Sequence, residues 1–334
     1  MKLTTLALAS APLLLFAPSE GGLQAKYRTD VGYTYTQSDW FLMEASNYTV
    51  SINGEELPEE AAEQMGIGFP PRRMDTTQEQ TTFYGEVDEG RPVSARRVFD
   101  TLEQQTAEGD EDEDLEGVLQ GKTIVLEAGD GDGVRAEAEL EDEDDDVDEE
   151  FLTGHRLTFA VEDYFPEDDV DEGDSWEISA EAARRILGLG EDSGPSYFDD
   201  DEDDEDGGFD EVLDENAEIE GQVTFQSIEE RDGLRCALLF VELSVSATDV
   251  ELDPDDLGGE DSFGEMDVAA RMTVEISGTE SVWFALDEGH PVASEGETQG
   301  TMEMVMELSD GEIDIEIAIE ADLSSGLESN WTVE

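Results

Sequence analysis

Apolar and polar residues alternate along much of the chain, most clearly near its C-terminal end. Met302, Met304, Met306 and Leu308 occupy every second position, and Ser309-Asp310-Gly311 then turns the chain. Ile313, Ile315, Ile317, Ile319 and Ala321 alternate in turn with Asp314, Glu316, Ala318 and Glu320. A period of two puts one apolar and one mostly solvated face on each arm, so the segment predicts an antiparallel strand pair. Residues 123–128 and 134–140, joined by Gly129-Asp130-Gly131-Asp132-Gly133, predict a second hairpin, and residues 222–228 with 234–245 a third.

Helical signals are few. Residues 179–189 read as a helix, with Ser179 as N-cap, Glu181 in the first turn and Gly190 just past the end. Pro58 suits the first turn of a shorter helix over 58–65.

A nine-residue motif occurs twice, Val87 to Ala95 as VDEGRPVSA and Leu286 to Ser294 as LDEGHPVAS. Each copy follows an aromatic pair, Phe83-Tyr84 or Trp283-Phe284, so both halves are expected to contain an aromatic strand, a turn and a strand. The fold class expected is mainly β, with antiparallel sheets in two similar halves, of sandwich or half-barrel type, and a few short helices.

Charge sharpens the boundaries. The 334 residues include 92 Asp or Glu and 16 Lys or Arg, a formal net charge of −76. The acids gather into runs at 108–114, 141–150 and 199–206, as solvated loops do. Residues 199–208 are expected to link an N-terminal β half, 26–198, to a C-terminal one, 209–334. Ahead of both, Met1-Lys2 and the apolar stretch Leu3 to Ala17 have the form of a secretory signal peptide over 1–25, with cleavage expected after Ser19 or Ala25. The protein is therefore expected to be exported, periplasmic or extracellular. No later apolar run is long enough to predict a membrane span in the mature chain.

The same charge excludes partners. Sixteen scattered cations cannot neutralise nucleic-acid phosphates against this field. Lysine occurs only at 2, 26 and 122, and an Asp/Glu-rich, Lys-poor surface stays hydrated where salt competes for water. Self-repulsion at low ionic strength and its screening at ~1 M salt predict a halophilic or at least marine source.

Candidate chemistry is thin. His155 and His290 lack a nucleophile pattern around them, and His290 occupies a turn where the other copy of the motif has Arg91. Cys236 lies in an apolar strand pattern, as a small buried hydrophobe does. Zinc has no ligand spacing to use. Calcium is the one cofactor the sequence offers: Glu202, Asp204, Asp206 and Gly207 follow the order of an EF-hand loop, with Asp210 at its ninth position, although Leu213 stands where a bidentate Glu belongs.

Phe165-Pro166 through Val170, Gly173-Asp174-Ser175-Trp176 and the late aromatic strand with its Asp-x-Gly-x-Pro turn, behind a signal peptide, resemble exported β-rich proteins of unknown function from planctomycete-type marine bacteria. The likeness covers about half the chain and implies a β-rich C-terminal half but no active site. The function expected is non-enzymatic: an exported acidic protein that binds an apolar ligand in a β concavity. A calcium-dependent envelope or surface structural protein, with cations as partners, comes second, and a carboxylate-based hydrolase last.

Overall fold

The structure, a computed structural model, describes residues 23–58, 61–62, 70–109, 111–129, 134–139, 147–166, 168–186, 197–198, 216–252, 267–309 and 311–333. Its strands are β1 (Gly32–Ile52), β2 (Glu55–Glu56), β3 (Arg72–Asp88), β4 (Arg91–Glu108), β5 (Glu111–Glu116), β6 (Thr123–Ala128), β7 (Val134–Glu139), β8 (Ser175–Glu177), β9 (Glu218–Arg231), β10 (Leu234–Leu252), β11 (Asp267–Ala285), β12 (His290–Ser309) and β13 (Asp314–Val333). An α-helix, α1 (Ala180–Ile186), and 3-10 turns at Glu149–Leu152 and Ala160–Tyr164 accompany them among the described residues.

All of these strands belong to one 13-stranded sheet, in the order β7-β6-β4-β3-β1-β13-β12-β11-β10-β9-β8, with β2 and β5 paired to β1 and β4. Every pairing is antiparallel. The expectation of two halves with sheets of their own is corrected here. The first and last long strands pair from Tyr33↔Val333 to Ile52↔Ile315, so the sheet runs unbroken from one half of the sequence into the other.

The three predicted hairpins are β6–β7, β9–β10 and β12–β13. At the β9–β10 turn Asp232 and Gly233 both have positive φ, 53° and 78°, the two-residue geometry that matches strand twist. The two copies of the nine-residue motif both join neighbouring strands, by different turns. Glu89 and Gly90 alone link β3 to β4, with Asp88 opposite Arg91, whereas four residues separate Ala285 from its partner His290. Of the helix expected over 179–189, Ala180–Ile186 is helical as α1 and 187–189 lie outside the described residues; the Ser179 hydroxyl accepts the Ala182 amide at 3.0 Å. Of the helix expected at 58–65, only residues 61–62 are described.

The sheet has an inner and an outer face. Inward positions of β10, β11 and β13 include Leu239, Val241, Val245, Val274, Ala321 and Leu323, all buried. Near one end of the strands the inner face is filled by the crossover that carries the chain from β7 at one sheet edge to β8 at the other. Phe151, Leu157, Phe159, Val161 and Tyr164 of that crossover share one hydrophobic cluster with Ile124 and Leu126 of β6 and Val223 and Phe225 of β9. Strands near opposite edges thus meet the same plug of side chains, which requires the sheet to curve around it.

A second cluster lies further along the strands, with Val245, Ala247, Val250, Met272, Val274, Met302, Ala321 and Leu323. Between the clusters the sheet carries small residues. At Gly300 a Cβ would stand 2.5 Å from the Glu275 carbonyl oxygen, so β11 and β12 approach too closely there for any side chain.

Candidate functional site

The candidate calcium ligands Glu202, Asp204, Asp206 and Asp210 lie outside the described residues, as does the linker 199–208. Among the described residues no group of three His, Cys, Asp or Glu is placed to hold a metal ion. The two histidines are far from any such role. His155 is buried beside Arg97, whose Nη1 lies 3.3 Å from its Nδ1, while its Nε2 meets the Phe151 carbonyl at 3.2 Å. Burial first, then the Arg97 charge, push its pKa down to about 3, so the ring is neutral. His290 is likewise buried, with Nδ1 2.7 Å from the Pro291 carbonyl oxygen and its ring against Tyr33. Cys236 is fully buried, and burial raises its thiol pKa, the opposite of what a nucleophile needs.

The inner face of the sheet holds the more telling arrangement, in three zones along the strands. The first is the apolar zone filled by the crossover. There Gly173 adopts φ +97° and donates its amide to the Phe225 carbonyl at 2.7 Å, docking the crossover on β9. Trp176 follows, packs on the core, and donates its indole N–H to the Tyr164 carbonyl at 2.9 Å. The Gly-Asp-Ser-Trp segment therefore anchors the end of the plug.

A polar belt forms the second zone. Tyr35 donates to Gln37 and lies 3.3 Å from the Ser329 hydroxyl; Thr298 and Ser325 face each other at 2.5 Å; Tyr164 donates to Glu280. Glu280 occupies an inward position of β11, between Val282 and Gly278, where the alternation would place an apolar residue. Hydrogen bonds from Tyr164 and Ser294 favour its charged form, but desolvation outweighs them and its pKa is raised. Two acceptor atoms on this belt, Asp39 Oδ1 and Gln80 Oε1, are buried with no partner among the described residues, and burial raises the pKa of Asp39.

Glu162, on the crossover itself, is a second half-buried acid. Its Oε1 accepts the Tyr27 hydroxyl and, at 3.1 Å, the Phe159 amide. Desolvation, reinforced by the neighbouring Asp163, pushes its pKa from 4.5 up to about 7, whereas Asp163 is paired with Arg156 at 2.6 Å. The folded protein therefore retains a proton that the unfolded chain releases above pH 4.5. Stability falls as pH rises from there to about 7, by about 3 kcal/mol in all. Denaturant unfolding in constant high salt at pH 5 and pH 8 is expected to show that slope, and Glu162→Gln to flatten it.

The third zone, beyond the belt, is lined by Phe41, Met43, Met74, Met304, Met306, Ile315 and Ile317, which are only partly buried, around the buried Met302 and Ile319. The alternation of Met and Ile predicted these strands; it did not show that one zone of their apolar face stays partly accessible. Glu162, Glu280 and Asp39 were not singled out either. In a chain with 92 acids, an inward-facing carboxyl is no different in sequence from a solvated one.

The outer face also carries a groove of about 580 Å³, across β3, β1, β13, β12 and β11. Trp40 lies flat over Gly326, where a Cβ would be 2.5 Å from its Nε1. Two of the flanking acids are paired, Asp75 with Arg73 at 2.6 Å and Glu295 with Arg231 at 2.9 Å.

Among the described residues no helix is long and apolar enough to cross a membrane. No protein-family model and no curated protein matches the sequence. Among solved structures, the outer membrane protein OprG from Pseudomonas aeruginosa is similar over 93% of this chain and 98% of its own, at 7% identity and a TM-score of 0.21. OccK11 (OpdR), also from Pseudomonas aeruginosa, covers 93% and 99% at 7% identity and a TM-score of 0.16, and OccAB4 from Acinetobacter baumannii covers the same shares at 5% identity and 0.16. Superposition this poor supports no statement about this chain's fold, place or activity.

Proposed function

We propose that this chain is an exported, non-enzymatic binding protein that holds an apolar ligand against the inner face of a half-barrel-like sheet, in surroundings rich in salt. One observation carries the reading: the inner face is divided by the polar belt into a zone filled by the protein's own crossover and a Met- and Ile-lined zone in which Met304, Met306, Ile315 and Ile317 stay only partly buried beside a buried cluster. Unbranched, polarisable Met side chains adapt to varied apolar shapes, which suits a ligand face better than a fixed core. Asp39 Oδ1, a buried acceptor with no partner among the described residues, borders the partly accessible zone, one inward position from Phe41. It favours a ligand whose apolar body ends in a hydrogen-bond donor.

N-phenyl-1-naphthylamine, an apolar aromatic with one N–H, is a direct probe. Its fluorescence is expected to rise saturably with the protein in 2 M NaCl. Ile317→Glu or Met306→Glu, on the partly buried face, is expected to weaken binding at least tenfold. Ile228→Glu, at a position 39% exposed, serves as control and is expected to leave it unchanged. Absence of saturable binding, or equal affinity in all variants, would overturn the reading.

A further inference from the structure

We infer that the outer-face groove is a glycan-binding site, which takes an extended, uncharged β-1,4-linked polysaccharide across the strands with Trp40 as its stacking platform. It is independent of the inner-face ligand, since the two lie on opposite faces of the sheet.

The platform is made by a missing side chain. Trp40 of β1 is directly opposite Gly326 of β13, and because no Cβ fits at 326 the indole lies down over the backbone there, 37% exposed. Its neighbours leave the ring open. Arg73 stands 5.9 Å from the ring centroid, beyond stacking distance, and is tied to Asp75 by hydrogen bonds of 2.6 and 2.7 Å. Trp283, on β11, shows the closed alternative: Arg231 is stacked on its ring at 3.9 Å, and its indole N–H donates to Glu229 at 3.3 Å. An open indole face is electron-rich and attracts the weakly positive C–H bonds that line one face of a pyranose ring.

Polar groups surround this ring without being used. The hydroxyls of Ser38, Thr77, Thr279 and Ser281 and the carboxylates of Glu297 and Glu328 line the groove and make no hydrogen bond among the described residues. Hydroxyls both donate and accept, and each carboxylate accepts several donors through charge-assisted bonds, which is the complement of a row of sugar hydroxyls.

Length and charge select the occupant. A second trough, of about 540 Å³, shares Asp75 and Thr77 with the first and runs on to Glu103 of β4 and Glu116 of β5. Together they cross β5, β4, β3, β1, β13, β12 and β11, whose six inter-strand steps of about 4.8 Å span roughly 29 Å. A trough of that length fits a linear polymer better than a small solute, and a ribbon-like chain better than a coiled one. The net charge of −76 repels glycans that carry carboxylate or sulfate groups. A basic polypeptide competes on charge alone, and that attraction fades at ~1 M salt, where the screening length is about 3 Å; ring stacking and hydroxyl contacts persist.

The test is isothermal titration calorimetry of the full chain in 2 M NaCl with cellohexaose, mannohexaose and xylohexaose, and with hexalysine as the charged competitor. At least one hexasaccharide is expected to bind with a Kd below about 1 mM, and to keep that affinity within about twofold from 1 to 3 M NaCl. Trp40→Ala is expected to weaken it about tenfold, and so is Gly326→Ala, whose new Cβ would stand 2.5 Å from Trp40 Nε1 and lift the ring. Trp283→Ala is expected to leave it unchanged, and near-UV circular dichroism checks that each variant is folded. Should the Trp40 and Gly326 variants fail to fold, Glu328→Gln decides. It relieves the repulsion from Glu295 directly opposite, so it folds at no higher salt than the wild type, and it is expected to weaken binding about threefold. No binding of any hexasaccharide, binding of hexalysine alone, or an affinity unchanged in every folded variant of Trp40, Gly326 and Glu328 would overturn the site.

Discussion

Diluting the protein from 2 M to 0.05 M NaCl at pH 7 is expected to abolish its near-UV circular dichroism, with a midpoint of roughly a few tenths molar. The register shows where the repulsion sits. On the outer face Glu303 is directly opposite Glu320, Glu307 opposite Glu316, and Glu295 opposite Glu328. Across the next pairing Glu44 faces Asp322, and on the far side of the sheet Glu103 faces Glu116. Directly opposed residues have Cβ atoms about 5 Å apart, where like charges are destabilising. Local cations offset only part of this, as Arg231 does at Glu295 and Arg271 at Glu307. At ~0.01 M salt the screening length is about 30 Å and each pair feels the rest of a −76 charge; at ~1 M it is about 3 Å, shorter than the pair itself. Glu320→Lys turns one repulsive pair into an attractive one and is expected to move the midpoint to lower salt. A full tertiary signal at 0.05 M NaCl would refute the screening account.

Those pairs also show how far the sequence could be read. Local features were legible: the period-two arms of β12 and β13 and the N-cap Ser179; the turn of the third hairpin, expected over 229–233, is tighter, because β9 runs on to Arg231. Long-range ones were not. The alternation of 302–321 shows which residues share a face, but nothing in it says that Glu303 will meet Glu320, because register depends on where the turn pins the ladder. β1 went unpredicted for a related reason. Its inward positions run Tyr35, Gln37 and Asp39 before Phe41 and Met43, so the belt interrupts the apolar face that would have marked a strand. The site suffers most, since the belt is built from inward polar residues of five strands and the crossover, and each alone looks like a surface residue. Desolvation, which only the fold supplies, is what separates Glu162 and Glu280 from solvated acids. The crossover itself was visible as Phe165 to Trp176, without any sign that it plugs the sheet.

Phe99→Ala is expected to cost about 3–5 kcal/mol, enough to unfold a chain of ordinary marginal stability under milder denaturant or lower salt. Phe99 is fully buried on β4, with its ring 5.9 Å from His155 of the crossover and 5.6 Å from Tyr197. Its amide donates to the Lys122 carbonyl at 3.0 Å and its carbonyl accepts the Gly121 amide at 2.9 Å, which ties the residue to the segment leading into β6. The strand therefore cannot slide to fill the space, and the cavity term is retained in full alongside the lost burial. Phe83 supplies the contrast. It belongs to the same hairpin but is 43% exposed on the outer face, resting over Gly32, and Phe83→Ala is expected to cost under ~1 kcal/mol. Denaturant unfolding of both variants in 2 M NaCl checks the pair. Equal losses would mean that the crossover is not packed on β4 at Phe99, and the plug would fall with it.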